Sequence, residues 1–104
     1  MNETDRASFL QNEFKQLCVE QERFHEWAIQ ANSAIRIEYN KHLDHLREKR
    51  ADARQRLKML VDADDHLKDH MNHAAERAIE AFHSALADAK AQTNSAQSQP
   101  PFLY

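Results

Sequence analysis

Seven histidines in 104 residues are the first feature of this chain that could do chemistry. His66, His70 and His73 follow one another at i, i+4 and i+7. On a helix turning about 100° per residue they fall along one stripe, with Asp62 and Asp69 on the same side. Imidazoles one turn apart can chelate Zn²⁺ or a similar divalent ion, and a neighbouring carboxylate can complete the shell. The same five residues also suit the wet flank of a buried seam, where they need no ligand.

A second pattern is Glu-x-x-His, present as Glu22-Arg-Phe-His25 and as Glu80-Ala-Phe-His83. On two helices of a bundle this element ligates paired metals, provided both side chains point inward. Here Phe24 and Phe82 take the inward direction, and each Glu and His falls roughly 130° away from the seam by the same helical arithmetic. Inward glutamates on other helices are missing too. The pattern therefore does not predict a metal oxidase.

The stretch 47–58 is locally basic, which raises nucleic-acid binding as a third chemistry. Its charges split, however. Arg47, Arg54 and Lys58 lie on one flank of the apolar seam, while Lys49 and Arg56 lie on the other. Charges that flank a seam on both sides set partner choice in coiled coils, and no aromatic residue interleaves to stack on bases. The acidic stretch from Asp62 to Glu80 offers these cations a partner in the chain. The lone Cys18 reads as a small buried hydrophobe. A nucleophile, a base and a group to orient it are nowhere spaced to act together.

What must position these residues is helix. Glycine is absent and the only prolines are Pro100 and Pro101, so tight turns and phosphate-cradling loops are hard to build. Apolar residues recur in steps of three and four, or of their sum seven, through Leu10, Phe14, Leu17, Phe24, Ala28, Ala31, Ile35, Tyr39, Leu43 and Leu46. The stripe continues through Ala53, Leu57, Leu60, Leu67, Met71, Ala74, Ala78, Phe82, Ala85 and Ala89, as one buried face requires. Phe9, Cys18, Trp27, Ile29, Ala34 and Ile37 widen its first half, which suits a multi-helix bundle. The chain is expected to be all-α, with a helical bundle domain over 1–91. A flexible polar tail over 92–104 would end in the apolar peptide Pro-Pro-Phe-Leu-Tyr.

Two breaks are available. Val61-Asp62-Ala63-Asp64-Asp65 can end one helix and cap the next, because aspartates complement the positive N-terminal dipole. A hairpin there sets Leu60 by Leu67, Leu57 by Met71 and Leu46 by Phe82, with Lys58 near Asp69 and Arg47 near Glu80. Ala31-Asn32-Ser33 is the second break, with Asn32 able to take a left-handed conformation and Ser33 able to cap. The favoured arrangement leaves Asn32 inside a long first helix, giving an antiparallel coiled-coil hairpin that self-associates to cover its aromatic half. The alternative is a compact three-helix bundle with an extra turn near Asn32. Seam positions Arg50 and Asp64 would fix register or sit near a helix end.

These features predict a non-enzymatic adaptor or scaffold, a cytoplasmic homo-oligomer that takes protein partners. The net charge of −3 and pI near 6.1 argue against nucleic acid or an anionic membrane as the main target. No apolar run is long enough to span a bilayer, and the polar, partly acidic first residues lead to the expectation of no signal peptide. Partner-binding residues are expected at Phe14, Phe24 and Trp27 and in the terminal Phe102, Leu103 and Tyr104. The alternative function is divalent-metal binding, with no other cofactor, through His66, His70, His73, Asp62 and Asp69.

Overall fold

The structure is a computed structural model that describes the backbone of residues 3–98 and the side chains of residues 6–96. It consists of three helices, α1 (Glu3–Gln30), α2 (Ser33–Asp62) and α3 (Asp65–Ser98). They run up, down and up to form a bundle 61 Å long and 17 Å across. No strand occurs among the described residues.

The chain takes the alternative of the two arrangements, because it breaks at Asn32. Ala31 ends α1 with its N–H on the Ala28 carbonyl, at 3.3 Å. Asn32 is extended (φ −68°, ψ 171°) and caps α2, its Oδ1 accepting the Ile35 N–H at 3.1 Å. The left-handed conformation expected of Asn32 is not used, and no described residue has positive φ. Ser33 is the first residue of α2 rather than its cap. A side-chain acceptor at this place satisfies one of the orphan amides of a helix start.

The aspartate-rich break falls as expected. Ala63 closes α2 with its N–H on the Leu60 carbonyl at 3.3 Å, and the Asp64 carbonyl receives the Leu67 N–H at 2.9 Å. Asp65 stands in the first turn of α3, and the Lys68 ammonium reaches the Leu60 carbonyl at 3.5 Å. Both charges complement the helix dipoles they meet. At the tip Leu67 stays 41% exposed, so the expected Leu60–Leu67 cover is only partial.

Folding at Asn32 lays the aromatic half of α1 on its own chain. Leu10, Phe14, Leu17, Phe24 and Ala28 are buried, together with Ile35, Tyr39, Leu46, Ala53, Leu57 and Leu60 of α2. The α2–α3 contact is the most extensive of the three. Helix α3 buries two rows. One is the expected Ala78, Phe82, Ala85 and Ala89; the other is Asn72, Ala75, Ile79, Leu86 and Thr93. Two rows are required because α3 packs against both other helices. Asn72 Oδ1 and Thr93 Oγ1 are buried with no hydrogen-bond partner. Residues 92–98, expected in the flexible tail, are the last turns of α3.

Candidate functional site

The groove between α1 and α2 is where ionisable groups converge. It is built on an aromatic joint beneath the Asn32 turn. Tyr39 is buried, and its hydroxyl lies 2.6 Å from His25 Nδ1. The Phe24 ring meets Tyr39 edge-on at 5.2 Å between centroids, and Trp27 stacks on the other side of Phe24 at 5.9 Å. Such ring contacts hold the two helices at one height and rotation.

Below the joint, α2 presents Arg47, Arg50 and Arg54 at i, i+3 and i+7, the spacing that puts three side chains on one helix face. Arg50 reaches back to α1, donating to Gln21 Oε1 at 3.0 Å and to Glu22 Oε1 at 3.3 Å. Gln21 is buried, so this bond supplies the acceptor's partner and fixes the register of α1 on α2. Arg54 lays its guanidinium over the Phe14 ring, 5.9 Å from the centroid. Arg47 and Arg54 remain exposed. Glu22 and Glu26 form the opposite wall, and the trough between them holds about 480 Å³.

Protonation states follow from burial. Burial pushes the Tyr39 phenol above its ordinary value, with the nearby Arg47 charge pulling the other way. Burial likewise raises the Cys18 thiol, although Arg50 and Arg54 partly oppose it. Both groups are held protonated near neutrality, which suits neither as a nucleophile. Planar guanidiniums on an open wall are suited to carboxylates, which they can grip with paired hydrogen bonds.

The residues singled out from sequence are distributed differently. Phe14 and Phe24 lie in the core of their own chain and are closed to partners. Trp27 stays 39% exposed at the bundle edge. Phe102, Leu103 and Tyr104 lie outside the described residues. Asp62 ends α2, and His66, Asp69, His70 and His73 lie on the first turns of α3, all exposed. Within that stripe His73 Nε2 and Asp69 Oδ1 stand 3.9 Å apart. Among the described residues no three His, Cys, Asp or Glu side chains come close enough to hold a metal ion. Arg6, Arg77, Glu76 and Glu80 stand beside His70 and His73.

The flanking arithmetic for the basic stretch is matched by the structure, but its partner is not. Arg47 and Arg54 do lie on one side of α2, and Arg56 on the other, where it meets Asp52 at 3.6 Å. Arg47 lines the groove with α1, whereas Glu80 lies across the bundle between α1 and α3. The Arg50–Gln21 contact, which ties the groove together, escaped the sequence. Its one trace there is a polar residue at a seam position in each helix.

No described helix is long and apolar enough to cross a membrane. Comparison with protein-family models, curated proteins and solved structures finds no match to this chain.

Proposed function

We propose that this protein is a non-enzymatic helical adaptor or scaffold that presents the α1–α2 groove to other proteins. The observation that supports it is the groove wall itself. Arg47 and Arg54 face water from a rigid helix, opposite Glu22 and Glu26. An open trough bordered by opposite charges along two parallel rods suits an elongated partner better than an enclosed small molecule. Arginine is enriched where protein interfaces draw their energy, and rigid elements present it at low entropic cost. The protonated Cys18 and Tyr39 fit a role in packing. A free, partly buried thiol fits a cytoplasmic setting.

The test is co-purification from the source cell with the wild type and with Arg47→Glu/Arg54→Glu. Both residues are exposed, so the variant keeps its helical circular dichroism. The expected result is a defined set of proteins that accompanies the wild type and is lost with the variant. An identical set with both proteins, or none with either, rejects the adaptor role.

A further inference from the structure

The α1–α2 groove changes sign along its length. Contacts between the two helices set the heights. Phe24 and His25 of α1 meet Tyr39 of α2 at the Asn32-turn end. Toward the other end, Arg54 of α2 covers Phe14 of α1. Glu26 follows His25 directly, so the turn end of the groove carries a carboxylate. Arg47 lies about 12 Å and Arg54 about 22 Å along α2 from Tyr39, so the far half is basic. Between the two halves Arg50 neutralises Glu22 across the groove, at 3.3 Å. Glu26, Arg47 and Arg54 have no ion-pair partner among the described residues.

The floor between these charges is partly apolar. Leu43, one turn from Tyr39, packs half-buried against the core. Ala51 is exposed between Arg47 and Arg54, where a side chain this small leaves room for a neighbouring backbone to approach. The amides and carbonyls of α1 and α2 are used within each helix, so the groove offers no edge on which an extended chain could pair. A rod laid between two antiparallel helices instead completes a four-helix arrangement. Amphipathic helices enter such grooves by their apolar stripe.

We propose that the occupant of this groove is an amphipathic helix of a partner protein, basic toward one end and acidic toward the other. Its apolar stripe covers Leu43 and Ala51, its basic end meets Glu26, and its acidic end meets Arg47 and Arg54. A helix of about 20 residues, about 30 Å long, spans all three charges. The guanidiniums can grip carboxylates with paired hydrogen bonds. A uniformly acidic helix would set like charge against Glu26, and a uniformly basic one against both arginines. Like charges brought together across an interface are costly, so the order of charge selects the partner. This deepens the adaptor reading and rests on it for the use of the groove, while naming the shape and charge order of what binds.

The experiment is fluorescence anisotropy with three labelled synthetic peptides of about 20 residues, titrated with the purified full-length protein. All three share one stripe of leucine and alanine. The bipolar peptide carries lysines along one half and glutamates along the other; the second carries glutamates only, the third lysines only. Wild type should bind the bipolar peptide at least about tenfold more tightly than either uniform one, and the peptide should gain helical circular dichroism on binding. Arg47→Glu/Arg54→Glu should bind the bipolar peptide at least about tenfold more weakly and prefer the lysine peptide. Glu26→Lys should prefer the glutamate peptide. All three positions are exposed. Salt at 1 M, where the Debye length falls to about 3 Å, should narrow these differences. The proposal is overturned if no peptide binds wild type, if a uniform peptide binds as well as the bipolar one, if binding brings no helix, or if the variants bind like wild type. A wild-type dimer in sedimentation that the bipolar peptide does not disperse would give the groove to a second copy and overturn it too. Loss of co-purifying proteins from Arg47→Glu/Arg54→Glu, with no peptide bound by wild type, would leave the adaptor role standing and remove the helical occupant.

Discussion

Replacing Asn32 by alanine tests the fold where local and global preferences oppose one another. The substitution removes the Oδ1 acceptor 3.1 Å from the Ile35 amide, and loss of an N-cap costs about 0.5–2 kcal/mol, typically near 1. Alanine also favours continuation of α1 straight into α2. A single helix from Glu3 to Asp62 would be about 90 Å long, and it would strip Leu10, Phe14, Leu17 and Phe24 of their cover on the other two helices. Burial of four such side chains contributes on the order of 6–12 kcal/mol in total, several times what the cap supplies. The variant should therefore remain a compact monomer when dilute. Its melting temperature should fall by about 4–8 °C, the shift that roughly 1 kcal/mol produces in a domain near this size. At high concentration a swapped dimer becomes accessible, because exchanging α1 between copies restores every buried contact and leaves only the turn opposing it. Thermal melts by circular dichroism, with small-angle scattering at low and high concentration, report both effects. An unchanged melting temperature, or a dilute monomer with a rod near 90 Å, would refute the reasoning.

Thr93→Val replaces a buried, unpartnered hydroxyl with a methyl of the same shape. It should stabilise the bundle by about 1 kcal/mol, within the range for removing an unsatisfied buried group; a lower urea midpoint would contradict the assignment. Arg50→Ala strands the buried Gln21 carbonyl oxygen and should cost about 1–3 kcal/mol in urea unfolding. Most of that loss should vanish in Arg50→Ala/Gln21→Leu, so additive losses would disprove the coupling. Tyr39 sets the alkaline limit. Burial raises its folded pKa above the unfolded value near 10.0, so its contribution is complete below that pH and disappears as pH rises through the folded value. Stability should fall above about pH 10 in wild type and less steeply in Tyr39→Phe; equal slopes would show that Tyr39 is not responsible.

Much of the candidate site was legible as pattern. Periodicity alone puts Arg47 and Arg54 on one flank of α2 and Arg56 on the other, because helical rotation is nearly independent of context. It could not say what each flank faces. A hairpin of α2 and α3 alone puts Arg47 near Glu80, whereas α1 occupies that side of α2. Phe14 and Phe24 looked available to partners for the same reason: with α1 carried away on a long helix, they would have no cover.

Helix formation, the aspartate-rich turn and one apolar row along each helix were determined by the sequence itself, whereas Phe9, Ile29, Ala34 and Ile37, expected to widen that row, are exposed. Those properties depend on hydrogen bonds and side-chain spacing within a few residues, and every residue involved is in the local window. Whether Asn32 interrupts the first rod, whether α3 buries a second row through Ile79 and Leu86, and which residue Arg50 reaches were decided only in the tertiary structure. The local signal at Asn32 is worth about 1 kcal/mol either way. Apolar surface brought together from residues tens of positions apart outweighs it, and that sum exists only once the three helices have met.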